Sequence, residues 1–201
     1  MTFVVSVLGL KKSGKTTVAA ALINALADRG LPVAALKTTH LERLTLDPRG
    51  TDSARLLEAG AGFVAVHSRR QTLTLENHPE EAARPDLFAL VPPWARLVVA
   101  EGLLPPAPAR RCVIVCLRGL EELEETLRVR DVQPGEVLAL SGVFAGGGPA
   151  SRAGAGGSAS ATEAAWPVCD ALDPRELEEL CGRLLATAGI AAPGPRPPSG
   201  G

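Results

Sequence analysis

Tyrosine is absent, and aromatic residues make up only 3% of the 201 residues. Lysine is scarce: of 21 basic side chains only four are lysine, namely Lys11, Lys12, Lys15 and Lys37, and the rest are arginine. No apolar run approaches the roughly 18 residues that a membrane-spanning helix needs, so no membrane partner is expected. The formal net charge is −1, which lacks the basic footprint of a nucleic-acid binder, so no nucleic-acid partner is expected either. Met1-Thr2-Phe3-Val4-Val5 carries no basic residue ahead of its short apolar stretch, so the expectation is a cytoplasmic protein without a secretory leader. The four cysteines form no C-x-x-C and lack zinc-ligand spacing. Cys112 and Cys116 lie four apart in an apolar run. On a strand they would share one face as buried thiols.

What is present is a regular alternation of strand and helix signals. Phe3 to Leu8 is a continuous apolar run, as in a buried parallel strand. Thr16 to Arg29 repeats apolar residues at helical spacing and stops at Gly30. Further strands are expected at 32–36, 63–66, 71–76, 97–100, 113–117 and 137–140. Short helices are expected at 51–59 and 80–90. Asp173-Pro174-Arg175-Glu176 opens a last helix to about residue 188, with Asp173 as N-cap and Pro174 in the first helical position. Such alternation predicts an α/β fold with a mostly parallel sheet flanked by helices in three layers. One domain is expected over residues 1–190, with a flexible Gly/Ala/Ser-rich insertion at 145–161 and a disordered tail at 191–201.

The scarce lysines are not scattered. Three of the four fall in Gly9-Leu10-Lys11-Lys12-Ser13-Gly14-Lys15-Thr16, which fits the P-loop pattern G-x-x-x-x-G-K-[ST] between a buried strand and a helix. Glycines let the backbone turn tightly, successive N–H groups form an anion nest, and the helix that follows aims its positive end at the same point. Gly9, Lys11, Lys12, Ser13, Gly14, Lys15, Thr16 and Thr17 are therefore the candidate phosphate-binding residues of a P-loop NTPase. Lys15 would bridge the β- and γ-phosphates, and the Thr16 hydroxyl would hold Mg²⁺. Ligands of parallel sheets bind beyond the carboxyl ends of the strands, where Gly9 to Thr17, Lys37 to His40, Glu101-Gly102 and Ser141-Gly142 are expected. Lys37 and His40 end the second strand there and are candidates for the γ-phosphate. Glu101 ends the strand Leu97 to Ala100 and could hold the metal or polarise an attacking water. Asp52 is a second catalytic candidate, though capping its helix explains it equally well.

The combination of Ser13-Gly14-Lys15-Thr16-Thr17, Lys37-Thr38-Thr39-His40, Asp47-Pro48-Arg49-Gly50-Thr51-Asp52-Ser53, Glu58-Ala59-Gly60-Ala61 and Val98-Val99-Ala100-Glu101-Gly102 resembles the molybdopterin-guanine dinucleotide biosynthesis adapter family, often called MobB. The likeness covers roughly residues 1–145. It departs at Thr38 and Leu41, where the family carries histidines, and at Leu103-Leu104-Pro105-Pro106, where it carries an aromatic residue and a lysine. The resemblance implies a GTP-binding, slowly hydrolysing, often homodimeric adapter that assists the molybdenum cofactor guanylyltransferase. Guanine rests on that resemblance alone, since no N-K-x-D motif occurs. Two rivals remain at this level. One is a small-molecule kinase or ligase using ATP, with Arg69-Arg70 or Arg110-Arg111 as lid candidates. The other is a non-catalytic chaperone of a metal cofactor.

Overall fold

Phe3–Gly9 (β1) is buried at every residue and is the central strand of the fold. A computed structural model describes residues 2–39, 55–56, 59–76, 86–147 and 166–191. β1 pairs in parallel with Leu97–Glu101 (β5) on one side and Arg111–Cys116 (β6) on the other. Val33–Lys37 (β2) and Val137–Ser141 (β7) complete the sheet in the order β2-β5-β1-β6-β7, and every pairing is parallel. Buried parallel strands need both faces covered, which is why they read as unbroken apolar runs rather than alternations.

Alternation along each strand divides the core between two faces. Val5, Val7, Cys112, Ile114 and Cys116 pack with Val18, Leu22 and Leu26 of Lys15–Asp28 (α1) and with Leu180 and Leu184 of Pro174–Ala188 (α3). Leu8, Val113, Val115 and Leu140 pack with Phe144 and with Leu123 of Leu123–Val129 (α2). The expected three layers are thus present. The last helix begins as its sequence requires. The Asp173 carboxylate accepts from the Arg175 and Glu176 amides at 2.8 and 3.1 Å. Gly189, at φ 67°, ends it in the left-handed conformation that favours glycine.

Three segments differ from the sequence expectation or refine it. α2 was not anticipated, although Leu120, Leu123 and Leu127 have helical spacing; the short Glu-rich segment hides behind its charges. Of the helix expected at 80–90, only a 3-10 turn at Leu87–Leu90 lies among the described residues. Ala145, the first residue of the Gly/Ala/Ser-rich stretch, is fully buried in the second core cluster and opens a 3-10 turn, Ala145–Gly147. Residues 148–161 and 192–201 lie outside the described residues.

The chain divides into two compact units, Met1–Thr38 with Leu87–Gly201, and Thr39–Asp86. In the second unit, Phe63–His67 (β3) and Thr72–Glu76 (β4) form an antiparallel hairpin separate from the main sheet. Ser68 closes its turn, donating from Oγ to the Gln71 carbonyl at 3.1 Å and accepting from the Gln71 amide. Phe63, Val66 and Leu73 are exposed on this hairpin. Within the helix expected at 51–59, the Ala59 amide donates to the Arg55 carbonyl at 3.0 Å, one helical turn back.

Candidate functional site

The carboxyl end of β1 runs straight into the phosphate-loop sequence, and steric contacts explain its glycines. A Cβ at Gly9 would lie 2.2 Å from the Cys116 carbonyl oxygen of neighbouring β6. Gly14 adopts φ 88° and serves as the N-cap of α1 without any side-chain cap. No acidic residue occupies the first turn of that helix. The first-turn N–H groups of a helix have no intrahelical acceptors, so α1 presents uncapped donors and its positive dipole end at this loop. Inside the loop, Ser13 Oγ donates to the Leu10 carbonyl at 2.9 Å and Lys15 Nζ donates to the same oxygen at 2.5 Å. Lys12 takes φ 65°, a left-handed turn without glycine. Lys11 and Lys12 are exposed, as are Thr16 and Thr17 at the start of α1.

Strand register supplies the second half of the site. Lys37 ends β2 and pairs in register with Glu101 at the end of β5, which pairs with Val7 of β1. Both side chains therefore emerge at the same sheet edge as the loop. Thr16 Oγ1 donates to Glu101 Oε1 at 2.7 Å, and Lys37 Nζ donates to both carboxylate oxygens at 3.0 and 2.8 Å and to Thr16 Oγ1 at 3.2 Å. Burial pushes the Glu101 carboxyl up, but the hydrogen bonds from Lys37 and Thr16 and the charges of Lys37 and Lys15 outweigh it, holding Glu101 below its ordinary range. Lys15 is held below its ordinary value, first by burial and then by the nearby Arg130 charge; Cys116 and Glu101 act in the opposite direction. An ionised carboxylate beside a hydroxyl is a pair of hard oxygen donors suited to Mg²⁺. The cations Lys15 and Lys37 and the uncapped helix start suit a polyphosphate.

Gly9, Ser13, Gly14, Lys15, Thr16, Lys37 and Glu101 are thus brought together as the sequence suggests. His40 and Asp52 lie outside the described residues. Arg110 and Arg111 do not form a lid. They stand at the start of β6, the strand end opposite the loop. There Arg110 donates to the Ala188 carbonyl at 3.0 Å and covers the Phe3 ring, while Arg111 pairs with Glu136. Arg69 and Arg70 belong to the β3–β4 turn. Two contacts were not anticipated. Gly142, just past β7, packs against the loop, and the Val143 amide donates to the Ser13 carbonyl at 3.3 Å. Arg130, at the end of α2, donates to the Gly9 carbonyl at 2.8 Å. Ser141-Gly142 is legible as a strand's carboxyl end where ligands bind, but its contact with the loop is not, and Arg130 belongs to no local motif. All four cysteines are free and buried, and burial pushes the Cys112 and Cys116 thiols up to about 12, which makes them inert at neutral pH.

The Glu101 carboxyl sets a pH dependence. Its folded-state value is depressed, so its ion pair stabilises the protein above the carboxyl's ordinary value and that contribution is lost as pH falls through the folded value. In Mg²⁺-free buffer, the thermal midpoint of Glu101→Gln is expected below that of the parent by a constant margin well above the carboxyl's ordinary value, with the margin closing as pH falls through the depressed folded-state value. The margin is small, because Lys37 is half exposed and the pair is partly screened. A margin independent of pH would remove the ion pair from the explanation.

Comparison with known proteins bears on the fold and the family. Residues 4–115 match the family described as Molybdopterin guanine dinucleotide synthesis protein B. No curated protein matches the chain. Among solved structures, MobB of Bacillus subtilis is similar over 91% of this chain and 98% of its own, at 20% identity and a TM-score of 0.62. A molybdopterin-guanine biosynthesis protein B is similar over 92% and 99%, at 21% identity and a TM-score of 0.57. A MobB homologue from Bacillus stearothermophilus covers 92% and 97%, at 20% identity and a TM-score of 0.56. Across the described residues no helix is long and apolar enough to cross a membrane.

Proposed function

The chain belongs to the Molybdopterin guanine dinucleotide synthesis protein B family, and from that premise we propose that it binds GTP with Mg²⁺ and assists the guanylyltransferase that attaches GMP to molybdopterin. The observation that carries the nucleotide part is the meeting of Lys15, Thr16, Lys37 and Glu101 at one sheet edge, beside a helix start with no cap and no acid. The phosphates would lie against the loop N–H groups. Lys15 would exchange the Leu10 carbonyl for phosphate oxygens, and Lys37 would approach the terminal phosphate. Thr16 and Glu101 would hold Mg²⁺, which when bound neutralises charge on the β- and γ-phosphates.

Slow turnover is part of the proposal. Glu101 is kept ionised by Lys37 and Thr16, an arrangement better matched to holding a cation than to exchanging protons near neutral pH. GTP hydrolysis by the isolated protein is expected below about 1 s⁻¹, the low end of common turnover numbers. Output is then interaction with the transferase, and the family resemblance extends the proposal to a homodimer.

Calorimetric titration with GTP and with ATP in Mg²⁺ buffer tests the nucleotide part, and pull-down of the transferase with and without GTP tests the adapter part. Tight GTP binding, weak ATP binding and transferase capture support the proposal. ATP preference, rapid transfer to a small-molecule acceptor and no capture would make a kinase or ligase the better account.

A further inference from the structure

Arg130 lies outside every motif, yet it reaches across 121 residues of sequence to the phosphate loop, where its guanidinium donates to the Gly9 carbonyl at 2.8 Å. Its place is set by the end of α2. The Arg130 amide donates to the Thr126 carbonyl at 3.0 Å, and Asp131 follows in the left-handed conformation, at φ 51°. Among the described residues no carboxylate pairs with this guanidinium, and its Nε–H is buried without a partner. A partly buried cation with an orphaned donor is unfavourable on its own. Here it stands close enough to Lys15 for the two charges to oppose each other. If the task were only to satisfy a carbonyl, a neutral amide would do it without bringing two cations onto one loop. The convergence makes sense when a multiply charged anion completes the loop.

We propose that Arg130 is a positioning residue of the phosphate site: it anchors the first carbonyl of the loop and adds its charge to that of Lys15 in attracting a polyphosphate. The Gly9 carbonyl is drawn to the α2 side, which orients the peptides that follow so that their N–H groups line the loop. The guanidinium suits this double role because its planar fork holds a carbonyl with one donor while other donors remain. This inference rests on the phosphate-site reading proposed above.

Three variants separate charge from hydrogen bonding. Arg130→Lys keeps the charge and a donor, Arg130→Gln keeps a donor only, and Arg130→Met removes both. Affinity for GTP and for inorganic tripolyphosphate is measured at two ionic strengths, with the thermal midpoint of each nucleotide-free variant. Arg130→Lys is expected within about threefold of the parent, Arg130→Gln about fivefold to tenfold weaker, and Arg130→Met more than about tenfold weaker. Both neutral variants are expected to show a shallower salt dependence. The Lys and Gln variants decide the charge role on their own if the Met variant does not fold. Equal affinities for the Lys and Gln variants, or neutral variants whose lost affinity tracks only a lowered thermal midpoint, overturn the inference while a binding parent leaves the site intact. A parent that binds neither probe overturns the site and this inference together.

Discussion

Lys15→Ala lowers affinity for GTP with Mg²⁺ by about a hundredfold, or about 2.7 kcal/mol, and leaves the protein folded. The loss is expected to be large because the ammonium is already placed. It is half-buried in the loop, fixed on the Leu10 carbonyl at 2.5 Å, and depressed below its ordinary value by burial and by Arg130. A charge held ready in a partly desolvated site contributes more to an incoming anion than the same charge in water. The free protein gains little from it. Removing the side chain loses one hydrogen bond but relieves a half-buried cation next to another, so the change in stability is within about 0.5 kcal/mol. Titration calorimetry and a thermal melt on the same sample decide the matter. Unchanged affinity would mean that the loop is not the phosphate site.

Gly142→Ala produces a large loss of stability from a single added methyl group. Its Cβ would lie 2.4 Å from the Ser13 carbonyl oxygen and 2.8 Å from both the amide nitrogen and the carbonyl oxygen of Leu117. All three obstacles are backbone atoms, so no rotamer change clears them. The residue also sits at φ 103°, a conformation that alanine rarely adopts. Together these amount to about 3 kcal/mol or more. The damage falls on the phosphate loop, because the Val143 amide holds the Ser13 carbonyl. GTP affinity measured below the lowered midpoint is therefore expected to fall at least about tenfold. Gly182→Ala is the control. A Cβ there meets nothing within 4 Å in the middle of α3, and the change should raise stability by up to about 1 kcal/mol. A Gly142→Ala protein as stable as the parent would show that the β7 turn yields freely and does not brace the loop.

These variants also mark how far the sequence could be read. Lys15 was identifiable as a candidate because its proposed role depends on neighbours in sequence, a strand before, glycines around and a helix after, all within 28 residues of the N-terminus. The same holds for Thr16, and for the last helix, whose cap, first residue and stop are local chemistry. Glu101 was legible at one remove. Its place at the end of an apolar strand is local, and the rule that parallel sheets present ligands at their carboxyl ends supplied the rest. Its partners were not legible. That Lys37 shares its carboxylate follows from β2 lying beside β5, and nothing within either strand states that order.

Gly142 and Arg130 show the limit from the other side. In the sequence Gly142 reads only as the residue past a strand's carboxyl end, and Arg130 as one of an abundant residue type. Their importance comes from β1 standing next to β6, and β6 next to β7, which brings the turn after β7 and the end of α2 onto the loop after β1. Periodicity, capping and loop chemistry act over one turn of helix or one strand, and they sufficed for the α/β class and for naming the proposed phosphate loop and candidate metal oxygens. Strand order and the packing of residues more than a hundred positions apart are set by the burial of two faces of one sheet. That cooperative condition, met only in the folded chain, placed Lys37 on Glu101, Gly142 on Ser13 and Arg130 on Gly9.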